Sequence, residues 1–256
     1  FPVIVIGQSS LRTKLGGQLR QLRDEGFFPG RVVVINEDGG RTAALQAIST
    51  NRAEHLVGDS SSEEALFATL NKLVLGQFFG IRKYLLWGAE SSTWSAADGA
   101  SKDTALEGIR QLAKRVSCHP RVTDLLITAV DEMIINALYR PRPTEDSKPP
   151  RAVTVEVGSD GRFLAVSVVD EFGLINESDL FDSVGHALEL EEHGLQPDQQ
   201  RTHLGFRIML STLSQLAINV DPGRRTEIIG IVDLRKSLRE LRGNAPSFGL
   251  FSRRRP

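Results

Sequence analysis

The chain has 256 residues, of which 40% are hydrophobic and 25% charged, a composition typical of globular domains and unlike that of disordered or fibrous proteins. Lys and Arg number 31 and Asp and Glu 32, so the near-neutral charge gives no electrostatic case for nucleic acid as the main partner. No apolar run approaches the ~18 residues of a membrane-spanning helix, so we expect no membrane partner. The single cysteine, Cys118, excludes an internal disulfide and suits a reducing, cytoplasmic compartment.

The segment 1–76 alternates strand and helix signals. Short β-branched runs predict strands, and apolar residues at helical spacing predict helices between them. The predicted strands are 3–7, 31–35 and 55–57, and the predicted helices are 11–22, 43–48 and 62–75. Because strands that alternate with helices pair in parallel, this pattern predicts an α/β unit over residues 1–76.

Residues 77–102 are interpreted as a connecting segment, because the second half of this stretch is rich in Ser, Ala, Gly and Asp, which favour loops. A helix is predicted after it, beginning at Asp103 or Thr104 and extending to Val116. A longer, mostly apolar helix is predicted over 122–139.

The remainder of the chain combines helices with strands that alternate apolar and polar residues. The predicted strands are 152–157, 164–169, 217–220 and 227–232, and the predicted helices are 204–216 and part of 175–194. Runs of helices beside an antiparallel sheet predict an α+β two-layer sandwich over residues 103–240. Residues 241–256 end in a run of arginines and are interpreted as a basic tail.

The helix at 122–139 carries one polar stripe on an otherwise apolar surface. Thr128, Glu132 and Asn136 follow at four-residue spacing and therefore share one face. An unpaired carboxylate is costly to bury, so the stripe faces either solvent at the domain edge or a cleft. In a cleft, Glu132 could orient a water or act as a base, and the amide oxygen of Asn136 could bind Mg²⁺.

The sequence around this stripe reads Asp131-Glu132-Met-Ile-Ile-Asn136-Ala137-Leu-Tyr-Arg140. It resembles the Glu-x-x-x-Asn motif on the first helix of the GHKL ATPase superfamily. That superfamily comprises gyrase-type ATPases, the ATP-binding domains of histidine kinases and the anti-sigma-factor serine kinases. Arg140 falls where many relatives carry a basic or aromatic residue near the phosphates.

A second segment resembles the Asp-x-Gly-x-Gly motif, which in this family ends the second strand of a hairpin. Asp170 matches the motif's aspartate at the end of the strand predicted over 164–169. Phe172 and Leu174 stand in place of the two glycines, and Gly173 is out of register with them.

Two further segments follow in the family's order. His203-Leu204-Gly205 resembles the Gly-x-Gly motif that opens a helix beneath the phosphates, with His203 in place of the first glycine. Thr226 begins a late strand, where the family carries a threonine near the adenine. The segment 176–200 occupies the place of the ATP lid, although its sequence is more helical than that of a glycine-rich lid.

The resemblance implies a mixed sheet packed on helices (a Bergerat-type fold) and binding of ATP with Mg²⁺. It implies that Asn136 holds the metal, that Glu132 is the catalytic residue near the attacking group, and that Asp170 accepts a hydrogen bond from the adenine amino group. It extends a nucleotide-binding role to Asn136 and Asp170 and also to Arg140, Gly173, His203, Gly205 and Thr226.

The segment 1–76 resembles the third to fifth strand–helix units of a response-regulator receiver domain. The phospho-acceptor aspartate of a receiver falls here at Gly7 or Gln8, its switch Ser/Thr at Ile35 or Asn36, and its lysine near Gly58. None of these residues supplies the receiver chemistry, so the resemblance implies a partial pseudo-receiver. It also leads us to expect that residues precede this segment in the native protein.

Cysteine and histidine give no separate site. Cys118 before His119 is interpreted as a buried thiol at a helix end rather than a nucleophile. The five histidines show no metal-ligand spacing, and none has the helix context of a histidine-kinase phospho-acceptor.

Two hypotheses about function follow for a bacterial signal-transduction protein of the two-component type. In the first, the second half binds Mg-ATP and transfers phosphoryl groups as an ATPase or to a Ser or Thr of a partner protein. In the second, both halves have lost their chemistry and form a non-catalytic pseudo-receiver and pseudo-kinase scaffold. We expect a signalling protein as the partner in both cases, and we allow for a homodimer.

Overall fold

The computed structural model describes residues 3–7, 17, 21–22, 24–25, 29–36, 40–58, 62–139, 152–193 and 204–253. These residues form one nine-stranded sheet with seven α-helices, a mixed α/β architecture broadly compatible with the predicted α+β sandwich. None of their helices combines the length and apolar character that crossing a membrane requires. The predicted helix 11–22 and the loop 194–200 lie largely or wholly outside the described residues.

The bounds of the elements are as follows in chain order. The strands are β1 (Ile4–Gly7), β2 (Val32–Ile35), β3 (His55–Val57), β4 (Glu90–Ala96), β5 (Val153–Ser159), β6 (Phe163–Asp170), β7 (Gln215–Asp221), β8 (Arg225–Asp233) and β9 (Ser247–Ser252). The α-helices are α1 (Gly40–Ser49), α2 (Ser62–Leu75), α3 (Gly99–Arg115), α4 (Pro120–Tyr139), α5 (Glu177–His193), α6 (Leu204–Thr212) and α7 (Leu238–Gly243).

Several predicted elements are confirmed within a few residues. Helix α2 has the predicted bounds, α4 begins two residues early at Pro120, and α5 confirms the helical reading of 175–194. Pro120 is the first residue of α4 and does not merely precede the helix. Proline is tolerated at this position because the backbone N–H groups of the first helical turn have no acceptor within the helix. Strands β1 to β3 pair in parallel as predicted, and β5 and β6 form the predicted hairpin.

The interpretation of 77–102 as a connection missed strand β4. This strand pairs antiparallel with β5 at the edge of the sheet, and its Ser-rich side chains are mostly exposed. Trp94 holds this strand against α3. Its indole ring packs so closely on Gly108 of that helix that a Cβ at Gly108 would lie 2.2 Å from the ring. The start of α3 is also earlier than predicted: Asp98 caps it, accepting from the backbone N–H of Ser101 at 2.8 Å.

The sheet order is β1-β2-β3-β9-β7-β8-β6-β5-β4. Strand β9 lies within the segment interpreted above as a basic tail, yet it occupies an interior position, antiparallel to β3 and parallel to β7. Its side chains alternate between the two faces: Phe248 and Leu250 join the core on one side and Phe251 the core on the other. The part of the tail that precedes the arginines is therefore a core strand.

The junction between β3 and β9 is close-packed at Gly58. Its backbone N–H donates to the Ser247 hydroxyl at 3.0 Å, and a Cβ at this position would lie 2.3 Å from the carbonyl oxygen of Ala245. Only a residue without a side chain permits this approach.

Helices cover both faces of the sheet. Helices α1 and α3 to α6 pack on the first face, where the larger core cluster lies. Helix α2 and the segment 76–88 pack on the second face, over residues of β2, β6, β8 and β9. The second face is therefore covered, and the sandwich has a third layer that the two-layer prediction lacked.

A buried polar network lies beneath that third layer. Lys72 of α2 donates from Nζ to the Asn219 Oδ1 at 2.7 Å and to the Tyr84 hydroxyl at 2.8 Å, and it stands 3.7 Å from the centroid of the Phe251 ring. Asn219 donates to Glu227 at 2.9 Å, and Glu227 also accepts from the backbone N–H of Gly80.

Burial dominates the titration of this network. It lowers the pKa of Lys72 well below its ordinary value of 10.5, an effect that Glu227 partly offsets. Burial also raises the pKa of the Tyr84 phenol, so that group keeps its proton in the folded chain.

Gly58→Ala is expected to lower the free energy of unfolding by about 1–3 kcal/mol, because the new methyl group forces β3 away from residue 245. Denaturant unfolding measures this change. The matched control is Gly99→Ala, where a Cβ meets no atom within 4 Å and the change should stay within about 0.5 kcal/mol. Equal effects at both positions would contradict the packing argument.

Lys72→Met is expected to change the pH dependence of stability. Between the lowered pKa of Lys72 and its ordinary value of 10.5, the unfolded chain holds a proton that the folded chain has released, so the free energy of unfolding rises with pH. The variant should lose that part of the rise, and it should be less stable overall because Asn219 and the Tyr84 hydroxyl lose the buried donor that they share.

Urea unfolding between neutral pH and about pH 10, the ordinary pKa of tyrosine, measures this slope. The control is Lys114→Met at an exposed position of α3, which should keep the wild-type slope. Lys83, whose pKa burial also lowers, remains in both variants and leaves a common residual slope. An unchanged slope in Lys72→Met would refute the role assigned to this lysine.

Candidate functional site

A cavity of about 430 Å³ lies between the sheet and helices α4, α5 and α6. Strands β6, β7 and β8 form its floor, and the loop 171–176 closes one side. Its apolar lining includes Met133, Val168, Leu180, Met209, Ile218 and Ile228. Its polar lining includes Asn136, Asp170, Asn176, Asp179, Ser183 and His186. The cavity therefore joins an apolar interior to a set of polar groups that is rich in carboxylates.

Asp170 ends β6 at the edge of this cavity. Its Oδ1 accepts hydrogen bonds from the backbone N–H groups of Phe172 at 2.8 Å and Gly173 at 3.1 Å. These bonds form an Asx turn, which fixes the carboxylate at the point where the chain leaves the sheet. The aspartate thus has a structural role in the turn while it also lines the cavity.

Gly173 has a packing role that the motif comparison did not indicate. Its φ is +60°, and a Cβ there would lie 2.3 Å from the carbonyl oxygen of Asp221. The Gly173 carbonyl accepts from the backbone N–H of Gly223 at 3.2 Å. The loop after Asp170 is thereby attached to the β7–β8 turn, and glycine is the residue that allows both the conformation and the contact.

Thr226 lies opposite Asp170 in the register of β6 and β8. Its side chain is 2% exposed, and its hydroxyl has no hydrogen-bond partner among the described residues. Thr226 shares a sheet face with Ile228, two residues on, which lines the cavity. A buried hydroxyl without a partner costs about 1–3 kcal/mol, so this position calls for a ligand or a compensating role.

Helix α4 brings the predicted polar stripe to the cavity only in part. Asn136 is exposed and lines the cavity with Met133 and Ala137. Glu132 is half-buried one turn earlier and is not among the described residues of the lining. Its neighbour Asp131 is paired with Lys102, Nζ to Oδ1, at 2.6 Å.

The remaining predicted residues fall near the opening of α6. Gly205 lies in the first turn of this helix, and the next residue, Phe206, lines the cavity. His203 and Arg140 lie outside the described residues.

Helix α5 forms one wall of the cavity, in the segment that occupies the place of the ATP lid and was predicted to be helical in part. Asn176 begins it, accepting from the backbone N–H of Ser178 at 2.9 Å. The outer side of α5 packs on α1, with Phe181 buried and Gly185 so close that a Cβ there would lie 3.6 Å from the Ser49 Cβ. The wall is therefore held by a helix from the segment 1–76.

Sequence reasoning missed the polar side chains that α5 contributes to the cavity. Asp179, Ser183 and His186 have spacings of four and three residues, so they share one face of the helix. The segment 175–194 was predicted to be helical in part, and the spacing of these three residues on one helical face is the signal that could have found them.

A metal ion would not find a complete ligand set here. Among the described residues no group of three or more His, Cys, Asp and Glu side chains could hold a metal ion. The amide oxygen of Asn136 is a single oxygen ligand of the kind that Mg²⁺ accepts together with phosphates and waters.

Comparison with known proteins adds no assignment, since no family model matches the sequence and no curated protein is significantly similar to it.

Thr226→Val is expected to raise the free energy of unfolding by about 1–2 kcal/mol, because it removes a buried hydroxyl that lacks a partner. Thr212→Val should act in the same direction, since its hydroxyl is also buried without a partner among the described residues. The control, Thr93→Val at an exposed position of β4, should change stability by less than about 0.5 kcal/mol. Chemical denaturation measures all three, and a loss of stability in Thr226→Val would show that the hydroxyl is satisfied in the folded chain.

Proposed function

We propose that the chain binds Mg-ATP in this cavity and acts in bacterial signal transduction as a GHKL-type ATPase or protein kinase. The observation that carries the proposal is the pair formed by Asp170 and Thr226. A carboxylate that lines the cavity and a buried hydroxyl with no partner among the described residues stand side by side on two hydrogen-bonded strands.

The pair suits the hydrogen-bonding edge of adenine. An exocyclic amino group can donate to the Asp170 carboxylate, and a ring nitrogen can accept from the Thr226 hydroxyl. The apolar walls suit the flat ring system, and a volume of about 430 Å³ is in the range of about 300–1,000 Å³ that ligand pockets occupy.

The order of the elements also supports the proposal. A helix with Glu132 and Asn136 comes first, and a hairpin whose second strand ends at Asp170 follows it. Helix α6 opens at the Gly205 segment, and β8 then begins next to Thr226. This is the sequence of elements that the resemblance to the GHKL superfamily implies.

At the other end of the site, Asn136 would hold Mg²⁺ through its amide oxygen. The metal would neutralise charge on the nucleotide phosphates, and catalysis would depend on positioning. Glu132 keeps its predicted role near the attacking group, one turn before Asn136 on the same helix. Arg140 and His203 keep their predicted roles as phosphate contacts. A Ser or Thr hydroxyl of a partner protein is the acceptor most consistent with the resemblance.

For residues 1–76 we propose a pseudo-receiver that serves as a contact surface for a signalling partner. Parallel strands β1 to β3 alternate with helices, in agreement with the receiver resemblance. The position of the receiver lysine is the close-packed Gly58, which has no room for a side chain. Gly7 and Asn36 lack a carboxylate and a hydroxyl, so this unit would act without phosphorylation.

The alternative function, a non-catalytic scaffold, requires a cleft filled by the residues that replace the motif glycines. Phe172, Leu174 and Phe206 line the cavity, but they leave its volume open. This open volume favours the nucleotide-binding proposal over the scaffold.

Calorimetric titration with ATP and ADP in the presence of Mg²⁺ tests the proposal. Asp170→Asn should weaken the affinity by roughly 10–100-fold, because a hydrogen bond to a charged acceptor contributes about 1.5–3 kcal/mol. The asparagine Oδ1 can still accept from Phe172 and Gly173, so the turn is preserved. Thr226→Val should weaken affinity by roughly 3–10-fold while it stabilises the chain.

Thr212→Val is the matched control, since it removes a similar hydroxyl from the end of α6, two residues before Ser214, which binds Ile231 five residues along β8 from Thr226, and should leave nucleotide affinity unchanged. No heat at millimolar nucleotide from folded protein would overturn the proposal and favour the scaffold.

A further inference from the structure

The exposed apolar side chains of this protein are concentrated on one surface. Six large apolar side chains among the described residues are exposed, and five of them lie between residues 67 and 87. We call these five the apolar patch: Phe67, Val74, Leu75, Leu86 and Trp87. Phe67 is 68% exposed and Trp87 fully exposed, which is costly for aromatic rings in water.

The patch lies on two neighbouring segments that pack on the second face of the sheet. Lys72 of α2 donates to Tyr84 in the segment 76–88, which fixes the two segments side by side. Both also reach the β5–β6 turn, where Glu64 pairs with Arg162 and the backbone N–H of Leu86 donates to Asp160 at 2.8 Å. Phe67 lies one helical turn after Glu64, so the part of α2 that carries it and the Leu86–Trp87 pair are both held by the same turn.

The area of the patch matches what a stable dimer needs. Each aromatic side chain offers about 150–250 Å² and each aliphatic one about 60–120 Å², so at their fractional exposures the five supply about 400–600 Å². A standard interface buries about 800 Å² on each partner, of which roughly 56–65% is apolar. One patch thus provides the whole apolar centre of such an interface.

The spacing on α2 indicates how two copies would meet. Phe67, Asn71 and Val74 follow at intervals of four and three residues and form the exposed stripe of the helix. In an antiparallel pair centred on Asn71, Phe67 of one copy meets Leu75 of the other, and the two Asn71 amides face each other. A single polar residue within an apolar helix contact of this kind fixes its register.

The charges of the chain permit this contact. The net charge is −1, so two copies do not repel each other appreciably. Exposed Glu63 on α2 and exposed Arg82 in the segment 76–88 supply both signs on the two segments that carry the patch, as a two-fold contact needs.

We propose that the apolar patch is the interface between two copies of this chain, which pair through antiparallel α2 helices about a two-fold axis at Asn71. The first face of the sheet, with the cavity, is left free in this arrangement. The interface does not depend on nucleotide binding.

Light scattering after size-exclusion chromatography tests the oligomeric state, at chain concentrations up to about 100 µM, where a dissociation constant of about 10⁻⁴ M is detectable. The wild-type chain should have twice the mass of one copy, and Phe67→Glu should have the mass of one. Val5→Glu, which charges the sixth exposed apolar residue on the far edge strand, should remain a dimer. Circular dichroism checks that each variant is folded.

An oxidative cross-link tests the register. Asn71→Cys should form a disulfide between copies, since a disulfide needs Cα atoms about 4.4–6.8 Å apart. Asp103→Cys, exposed on α3 at the opposite face, should not, and native Cys118 is buried in every variant. A wild-type chain that is monomeric throughout this range, or a dimer that Phe67→Glu leaves intact, would overturn the proposal.

Discussion

Strand β9 forms hydrogen bonds along both of its edges, and the single sheet depends on them. One edge pairs with β3 from the segment 1–76 and the other with β7 from the second half of the chain. The backbone N–H of Leu250 donates to the Glu54 carbonyl at 2.7 Å and that of Arg253 to the Val220 carbonyl at 2.9 Å. Without β9, the two groups of strands would each present an unpaired interior edge, which proteins avoid.

The shared sheet makes the cavity a product of both ends of the sequence. Helix α5 lines the cavity with one face and packs on α1 with another, while Arg41 of α1 donates to the Leu210 carbonyl of α6 at 2.8 Å.

Strand β8 links the two faces of the sheet more directly. Thr226 faces the cavity side, and its neighbour Glu227 belongs to the buried network with Lys72, because successive side chains of a strand point to opposite faces. A ligand that contacts Thr226 would therefore contact the strand whose opposite face holds the α2 layer.

Strong periodic patterns in the sequence predicted much of this fold. The long apolar helix, the α2 stripe and the β5–β6 hairpin each bury a face whose pattern is visible over many residues. Strands β4 and β9 escaped prediction for opposite reasons. The first is an exposed edge strand of Ser and Thr held by Trp94, and the second is a short strand beside a run of arginines. Their positions depend on partners distant in the sequence, which local propensity does not encode.

The same limit applies to the site. Asn136 and Asp170 line one cavity, and both could be predicted as site residues because the spacing on α4 and the end of β6 are visible in the sequence. Gly173 was read as a displaced motif residue, whereas its contact with Asp221 is a tertiary constraint. The contribution of α5 follows from its packing on α1, a contact between segments that lie far apart in the chain.

The Lys72 network also sets an order of assembly. Lys72 lies 147 residues before Asn219, which accepts a hydrogen bond from its Nζ. During synthesis on the ribosome, α2 emerges long before β7 and β8 supply that amide and the Glu227 carboxylate. Until then its lysine has no buried acceptors, and desolvating it would be unfavourable. Helix α2 therefore docks only after β7 and β8 have been synthesised, although it is itself among the first elements of the chain.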